Sequence, residues 1–187
     1  MIFFSSDWHI GHDKDFLYRP RGFQSIEEHD EAIITNCNKI VKEDDELWLL
    51  GDLALGEEEE WDKWLSQINC KNIHFVIGNH DTDRKIDKYI NEYWFEFHGY
   101  ADMIKYSKRY SFYLSHYPTL TGNFDFDKRP VWNLSGHTHS QEKFYDKYAV
   151  YNVALDAHNN YPVSIEEIVT DIINYNYKYK GDFNFGK

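Results

Sequence analysis

Cysteine is almost absent from this chain: only Cys37 and Cys70 occur in 187 residues, and they do not form a C-x-x-C pair. That spacing excludes a zinc knuckle or a dithiol redox centre and leaves two buried free thiols, as in a reducing cytoplasm, as the expectation. No apolar run approaches the ~20 residues of a membrane span. The opening Ile2-Phe3-Phe4 is followed at once by polar residues, so no secretory leader is expected either, and the reading is cytoplasmic. Basic residues are few, 20 Lys and Arg against 32 Asp and Glu, and they form no stripe. The resulting net charge of −12 disfavours non-specific binding to nucleic acid or to an anionic membrane. With only 4 Pro and 10 Gly there is no linker-like stretch, and no internal repeat, so a single domain over residues 1–187 is expected.

What is abundant is aromatic and apolar. Hydrophobic residues make up 42% and aromatics 18%, enough for one sizeable core rich in ring packing. Residues 2–6, 47–50 and 73–77 read as buried strands. Ser25 and Glu28 have capping-box spacing, and the helix they open places Ile33, Cys37, Ile40 and Val41 on one face. Residues 57–67 predict a second helix with Trp61, Trp64, Leu65 and Ile68 inward, and residues 83–94 a third. Strands then dominate, at 101–106, 110–116, 131–135 and 148–154. Ser164 and Glu167 repeat the capping spacing before a helix with Ile165, Ile168, Val169, Ile172 and Ile173 on its apolar side. The order βαβαβα followed by mainly β predicts an α/β sandwich, two sheets with helices outside them. Residues 175–185 alternate aromatic and polar around Gly181-Asp182, so 175–187 reads as a hairpin or a tail.

Histidine and aspartate gather where those strands end. Asp7 and His9 follow the first strand, Gly51-Asp52 the second, and Gly78-Asn79-His80-Asp81 the third. His116 ends a later strand, and His137 and His139 end another, where strand alternation would put both on one side. The C-terminal edge of strands is where open α/β sheets place their ligands, and each glycine clears room there. Taken alone, a D-x-H or a Gly-Asp is ordinary turn chemistry; a pair of histidines two apart is a stronger metal signal.

Together, Asp7-Trp8-His9, Gly51-Asp52, Gly78-Asn79-His80-Asp81, Ser115-His116 and Gly136-His137-Thr138-His139, in this order, resemble the calcineurin-like metallophosphoesterase superfamily. Ile10-Gly11-His12 and residues 152–168, with Tyr161-Pro162-Val163-Ser164, are similar to its small bacterial and phage members. The resemblance implies an αββα sandwich of two mixed sheets. It implies that Asp7, His9 and His139 bind one divalent metal ion, that Asn79, His116 and His137 bind a second, and that Asp52 bridges them. His80 would be the catalytic proton donor, oriented by Asp81. The arginine-bearing motifs of the protein-phosphatase branch are missing: Leu53-Ala54-Leu55 follows Asp52, and Asp rather than Glu follows His80.

Such a site suits phosphate-ester hydrolysis, because two cations activate water and hold the phosphoryl oxygens. Imidazole, carboxylate and amide donors fit Mn, Fe, Zn, Ni or Co better than Ca or Mg, with Mn the expected ion. The substrate expected is a small phosphomonoester or phosphodiester, nucleotide-like diesters favoured, in an open cleft. A nuclease acting on DNA or RNA ends and a non-catalytic metal-stabilised scaffold are the alternatives. His12, Arg19 and Arg21 are weaker candidates for phosphate contact, against a structural hydrogen bond for His12 and plain solvation for the arginines. His29, His74, His98 and His158 fall outside the motifs and read as structural or surface residues.

Overall fold

The computed structural model describes residues 1–121, 131–145 and 149–179. Strands β1 (Ile2–Ser5), β2 (Glu46–Leu50), β3 (Asn72–Val76) and β4 (Glu96–Phe97) lie parallel in the order β4-β3-β2-β1. The last strand, β9 (Val163–Ser164), pairs antiparallel on the free side of β1. A second sheet holds β5 (Ala101–Lys105), β6 (Ser111–Ser115), β7 (Val131–Ser135) and β8 (Val150–Asn152), with β5 antiparallel to β6 and the rest parallel. The helices are α1 (Asp15–Tyr18), α2 (Ile26–Ile40), α3 (Glu58–Leu65), α4 (Asp83–Asn91) and α5 (Ile165–Tyr179). Two mixed sheets flanked by helices is therefore the architecture, as the element order predicts. Among the described residues no helix is long and apolar enough to cross a membrane.

Side-chain alternation along the first sheet creates two cores. Phe3, Leu47, Leu49, Ile73 and Phe75 face one way, against Ile33, Ile34 and Cys37 of α2, Trp61 and Leu65 of α3, and Tyr89 of α4. Phe4, Trp48, Leu50 and Val76 face the other way, toward Phe112 and Leu114 of β6, Trp132 and Leu134 of β7, and Ile165, Ile168 and Ile172 of α5. Each fully buried side chain of this size contributes about 1.5–3 kcal/mol. Both cysteines are free and buried, and burial pushes each thiol up, so neither is poised for chemistry.

Helix starts follow the sequence signals. Ser25 Oγ accepts from Glu28 N at 3.2 Å, and Ser164 Oγ accepts from Glu167 N at 3.1 Å, each cap contributing about 1 kcal/mol. The Glu28 carboxylate serves the amide of Gln24, one residue before the cap, at 2.7 Å. Strands β4 and β9 and helix α1 are too short to leave a periodic trace in the sequence. Two expectations are overturned. Residues 175–179 continue α5 instead of turning into a hairpin, because the apolar spacing through Ile172 keeps the helix seated on the second core; residues 180–187 lie outside the described residues. Ile173, expected inward, is 51% exposed.

Candidate metal centre

The loops after the strands are bound to one another before any ligand enters. Asp7 N donates to Gly51 O (3.1 Å), His9 N to Asp52 O (3.0 Å), and Ile10 N to Leu53 O (3.1 Å), which zips the β1 loop to the β2 loop. Gly136 N donates to His116 O (3.1 Å), and Leu155 N to Ser6 O (3.3 Å), so the two sheets present their loops at one edge. Trp8 is fully buried with its indole N–H on Ser5 Oγ, which turns Asp7 and His9 to the opposite side.

Five of the gathered residues have left-handed backbone: Asp7 (φ 59°), His9 (50°), Asp52 (55°), His137 (72°) and His139 (50°). Non-glycine residues held there cost about 1–3 kcal/mol each, and such strain collects at functional sites. This also corrects the expectation for His137 and His139. Strand β7 ends at Ser135, and the two rings converge through a left-handed loop, not through strand alternation. The preceding glycines are required for space. A Cβ on Gly136 would lie 2.0 Å from Asp7 Oδ2, and one on Gly78 would lie 2.2 Å from Asp52 Oδ1.

The donor atoms then meet in two groups, Asp7 with His9 and His139, and Asp7 with Asp52 and His116. Asp7 Oδ2 takes Ser6 Oγ (2.7 Å) and His137 N (2.9 Å), which leaves Oδ1 buried without a hydrogen bond. That oxygen faces His9 Nε2 at 3.9 Å and His139 Nε2 at 3.8 Å. Neither ring nitrogen of His9 has a hydrogen-bond partner. Asp52 Oδ1 accepts from His80 N at 2.8 Å, and its Oδ2 lies 3.7 Å from His9 Nε2, 3.5 Å from His116 Nε2 and 4.0 Å from His80 Nε2. Asp7 thus belongs to both groups, and Asp52 Oδ2 reaches a ring nitrogen of each.

Proton positions follow from the outer partners. His116 Nδ1 faces the Leu50 carbonyl at 2.9 Å and donates to it, which turns Nε2 inward. Nε2 lies 3.0 Å from Asn79 Oδ1 and 3.2 Å from His137 Nδ1. His139 Nδ1 lies 3.1 Å from Asp156 Oδ2, which orients Nε2 toward Asp7. Burial pushes the Asp7 carboxyl up despite nearby His116 and His139, and burial, aided by His139 and Arg21, holds the His9 ring far below its ordinary value. His137 is also lowered, by burial and by His116. For His139, burial is outweighed by the Asp156 hydrogen bond and the Asp7 charge, which raise it. A buried carboxylate oxygen with no partner and facing lone pairs is costly in an apolar surrounding unless a cation sits among them. Donor atoms 3.5–3.9 Å apart suit an ion about 2.0–2.2 Å from each. The residues therefore fit divalent metal ions.

All seven expected ligands are brought together, and His80 stands at the rim with its side chain 46% exposed. Three secondary expectations change. Asp81 does not touch the His80 ring; its buried carboxylate accepts the amides of Asp52 (2.7 Å), Gly78 (2.8 Å) and Leu53 (3.3 Å), so it holds the loops that carry Asp52 and Asn79. Arg21 is neither solvated nor a free phosphate donor: its side chain is 1% exposed and pairs with Asp156 at 2.8 Å. Arg19 is exposed and paired with Asp15 at 2.9 Å. His12 does border the site, its ring 5.4 Å from His9 and its buried Nδ1 unpartnered.

Asp156 and Asp30 were missed by sequence reasoning, while His29, expected to be structural or on the surface, is buried and structural. Arg21 donates to Asp156, to the carbonyls of Asp7 (2.7 Å) and Trp8 (3.3 Å), and to His29 Nε2 (3.0 Å). His29 Nδ1 then meets Asp30 Oδ1 at 2.7 Å, and Asp30 Oδ2 accepts from Gly11 N at 2.9 Å. The one available signal for Asp156 was an acid shortly after a strand end, as with Asp7 and Asp52.

An α/β protein of two mixed sheets with a histidine–aspartate cluster at its strand ends is the class so defined. No family model matches the chain. It is 29% identical over 176 residues to an uncharacterized protein of Methanocaldococcus jannaschii, MJ1445, covering 90% of this chain and 89% of that one. It is 27% identical over 168 residues to the Gene 66 protein of Mycobacterium phage L5, covering 73% of this chain and 76% of the relative. Its fold is shared with the crystal structure of a protein of unknown function from Aquifex aeolicus, AQ665, with a TM-score of 0.68 at 21% identity over 91% of this chain and 98% of that one.

Proposed function

We propose that this chain is a phosphoesterase of the calcineurin-like metallophosphoesterase type, working with two divalent metal ions, manganese foremost. The observation that carries the reading is the set of buried polar atoms left without a hydrogen-bond partner and facing one another, Asp7 Oδ1 and the ring nitrogens of His9, 3.9 Å apart at Nε2. Asp7, His9 and His139 would hold one ion, Asn79, His116 and His137 the other, with Asp52 between them. Bound there, the ions supply Lewis acidity for water activation and for phosphoryl charge.

The chain's own residues do the rest. His139 is oriented through Asp156 and His116 through the Leu50 carbonyl, so each turns its Nε2 inward. Because Asp7 and Asp52 are the only carboxylates among the seven ligands, an ion-loaded site stays positive and attracts a phosphate ester despite the acidic whole. His80, exposed beside Asp52, is placed to give a proton to the departing oxygen. The exposed Asn79, His80 and His137 leave the mouth open, which suits a small, nucleotide-like diester. The acidic charge weighs against long nucleic acid.

The test is hydrolysis of an aryl phosphodiester by metal-depleted protein resupplied with Mn²⁺. His80→Ala should keep bound manganese and lose about 10²–10⁴-fold in kcat. Asp52→Asn should lose the metal itself. Manganese bound without any turnover on monoesters, diesters, cyclic nucleotides or oligonucleotides would sink the enzymatic reading and leave a metal-stabilised scaffold. Turnover confined to oligonucleotide ends would favour a nuclease.

A further inference from the structure

We propose that His74, Glu96 and His98 form a second, separate cation site, of zinc type, that clamps the edge strand β4 onto β3. The register of the parallel pair sets His74 opposite Glu96, and His98, two residues further, falls on the same face. The amide of His98 is itself tied to Phe75 O at 2.9 Å, so the β4 extension is held against β3 where the rings meet. His74 Nδ1 and His98 Nε2 lie 2.9 Å apart, and the Glu96 carboxylate reaches them at 3.4 and 3.7 Å.

One outer carboxylate holds the His98 ring, and a second lies farther behind the His74 ring. Asp102 Oδ2, on the first strand of the second sheet, lies 2.5 Å from His98 Nδ1 and accepts from it, which turns Nε2 toward His74. Glu46 Oε1 lies 3.8 Å from His74 Nε2, the nitrogen turned away from the cluster. Carboxylates behind imidazoles are the arrangement that orients histidine ligands and raises their basicity. Trp48 stacks on the His74 ring at 4.3 Å and 10°, which fixes its plane. Two imidazoles, one carboxylate and a solvent-facing side make a three-ligand zinc set with an open position.

This cluster is not part of the proposed catalytic centre. His74 pairs with Trp48, the middle residue of β2, whereas Asp52 follows the end of that strand, and the two clusters share no residue. Strand β4 has only two residues, both exposed. A cation here would join β3, β4 and, through Asp102, the second sheet, and would stabilise only the folded chain.

Full-length protein stripped of metal is equilibrated with Zn²⁺, and bound zinc is counted by elemental analysis in wild type, His98→Gln and Glu96→Ala. One equivalent fewer in each variant than in wild type is the expected result. Glu96 is 65% exposed at its side chain, so Glu96→Ala remains a folded test, checked by circular dichroism, even if His98→Gln does not fold. In an Asp52→Asn background, adding Glu96→Ala should again remove one equivalent, which separates this site from the other cluster. Equal zinc in wild type and Glu96→Ala, or no difference in the Asp52→Asn background, would overturn the proposal.

Discussion

Replacing Arg21 with alanine removes one guanidinium from the centre of a buried network and leaves five groups without it. Those groups are the Asp156 carboxylate, met at 2.8 and 3.1 Å, the carbonyls of Asp7 and Trp8, and the rings of His29 and His139. Arg21 holds Asp156 well below the ordinary carboxylate range: burial alone would raise it, but the His139 hydrogen bond and the Arg21 charge win. Without Arg21 that side chain, 11% exposed, keeps its charge with one partner fewer. Breaking a buried pair by removing one member costs about 3–5 kcal/mol. For a chain of this length each kcal/mol shifts Tm by about 2–4 °C, so a loss of about 6–20 °C is expected. The assay is thermal and urea unfolding of metal-free protein, alongside bound manganese in the loaded form. Manganese should fall as well, because Asp156 orients His139. Arg21→Lys, which keeps the charge but not the planar fork, should recover only part of the loss. A substrate-binding arginine at the surface predicts the reverse, a raised KM with stability within about 0.5 kcal/mol of wild type. That outcome would refute the network.

Gly136→Ala places a Cβ 2.0 Å from Asp7 Oδ2 and 2.1 Å from Ser6 Oγ, so Asp7 must move; manganese binding should drop sharply, read by calorimetry, and unchanged affinity would contradict the packing. Asp81→Ala leaves the amides of Asp52, Gly78 and Leu53 without their acceptor, and unfolding should show a loss of about 1–3 kcal/mol per stranded group, with weaker metal binding and no selective change in the pH dependence of kcat. His29 is held below its ordinary value by burial, which outweighs its hydrogen bond to Asp30. Its folded pKa is depressed, so below about 6.5 the unfolded chain takes the proton first and stability falls as pH falls. Metal-free wild type should therefore lose up to about 1.4 kcal/mol per pH unit more than His29→Gln below that point; parallel slopes in urea titrations would show that His29 protonates within the fold.

Local chemistry was legible in the residues themselves. Strand alternation sorted Phe3 from Phe4 and Leu49 from Leu50 onto two faces, and the Ser25 and Ser164 caps marked helix starts, because these signals act over a few residues. The clustering of the candidate residues was legible too, since Asp7, Asp52, Asn79, His116, His137 and His139 each follow a strand end, where a parallel sheet directs its loops to one edge. What only the tertiary structure decided is who partners whom across long stretches of chain. Arg21 meets Asp156, 135 positions away, through the crossing of a β1 loop and a β8 loop that no periodicity encodes. Asp81 turned from His80 to three backbone amides because a buried carboxylate takes the nearest unsatisfied donors, and those are set by how two loops pack. His74 and His98 face each other because β4 adds to the edge of β3 in one register, and a two-residue strand leaves no pattern from which that register can be read.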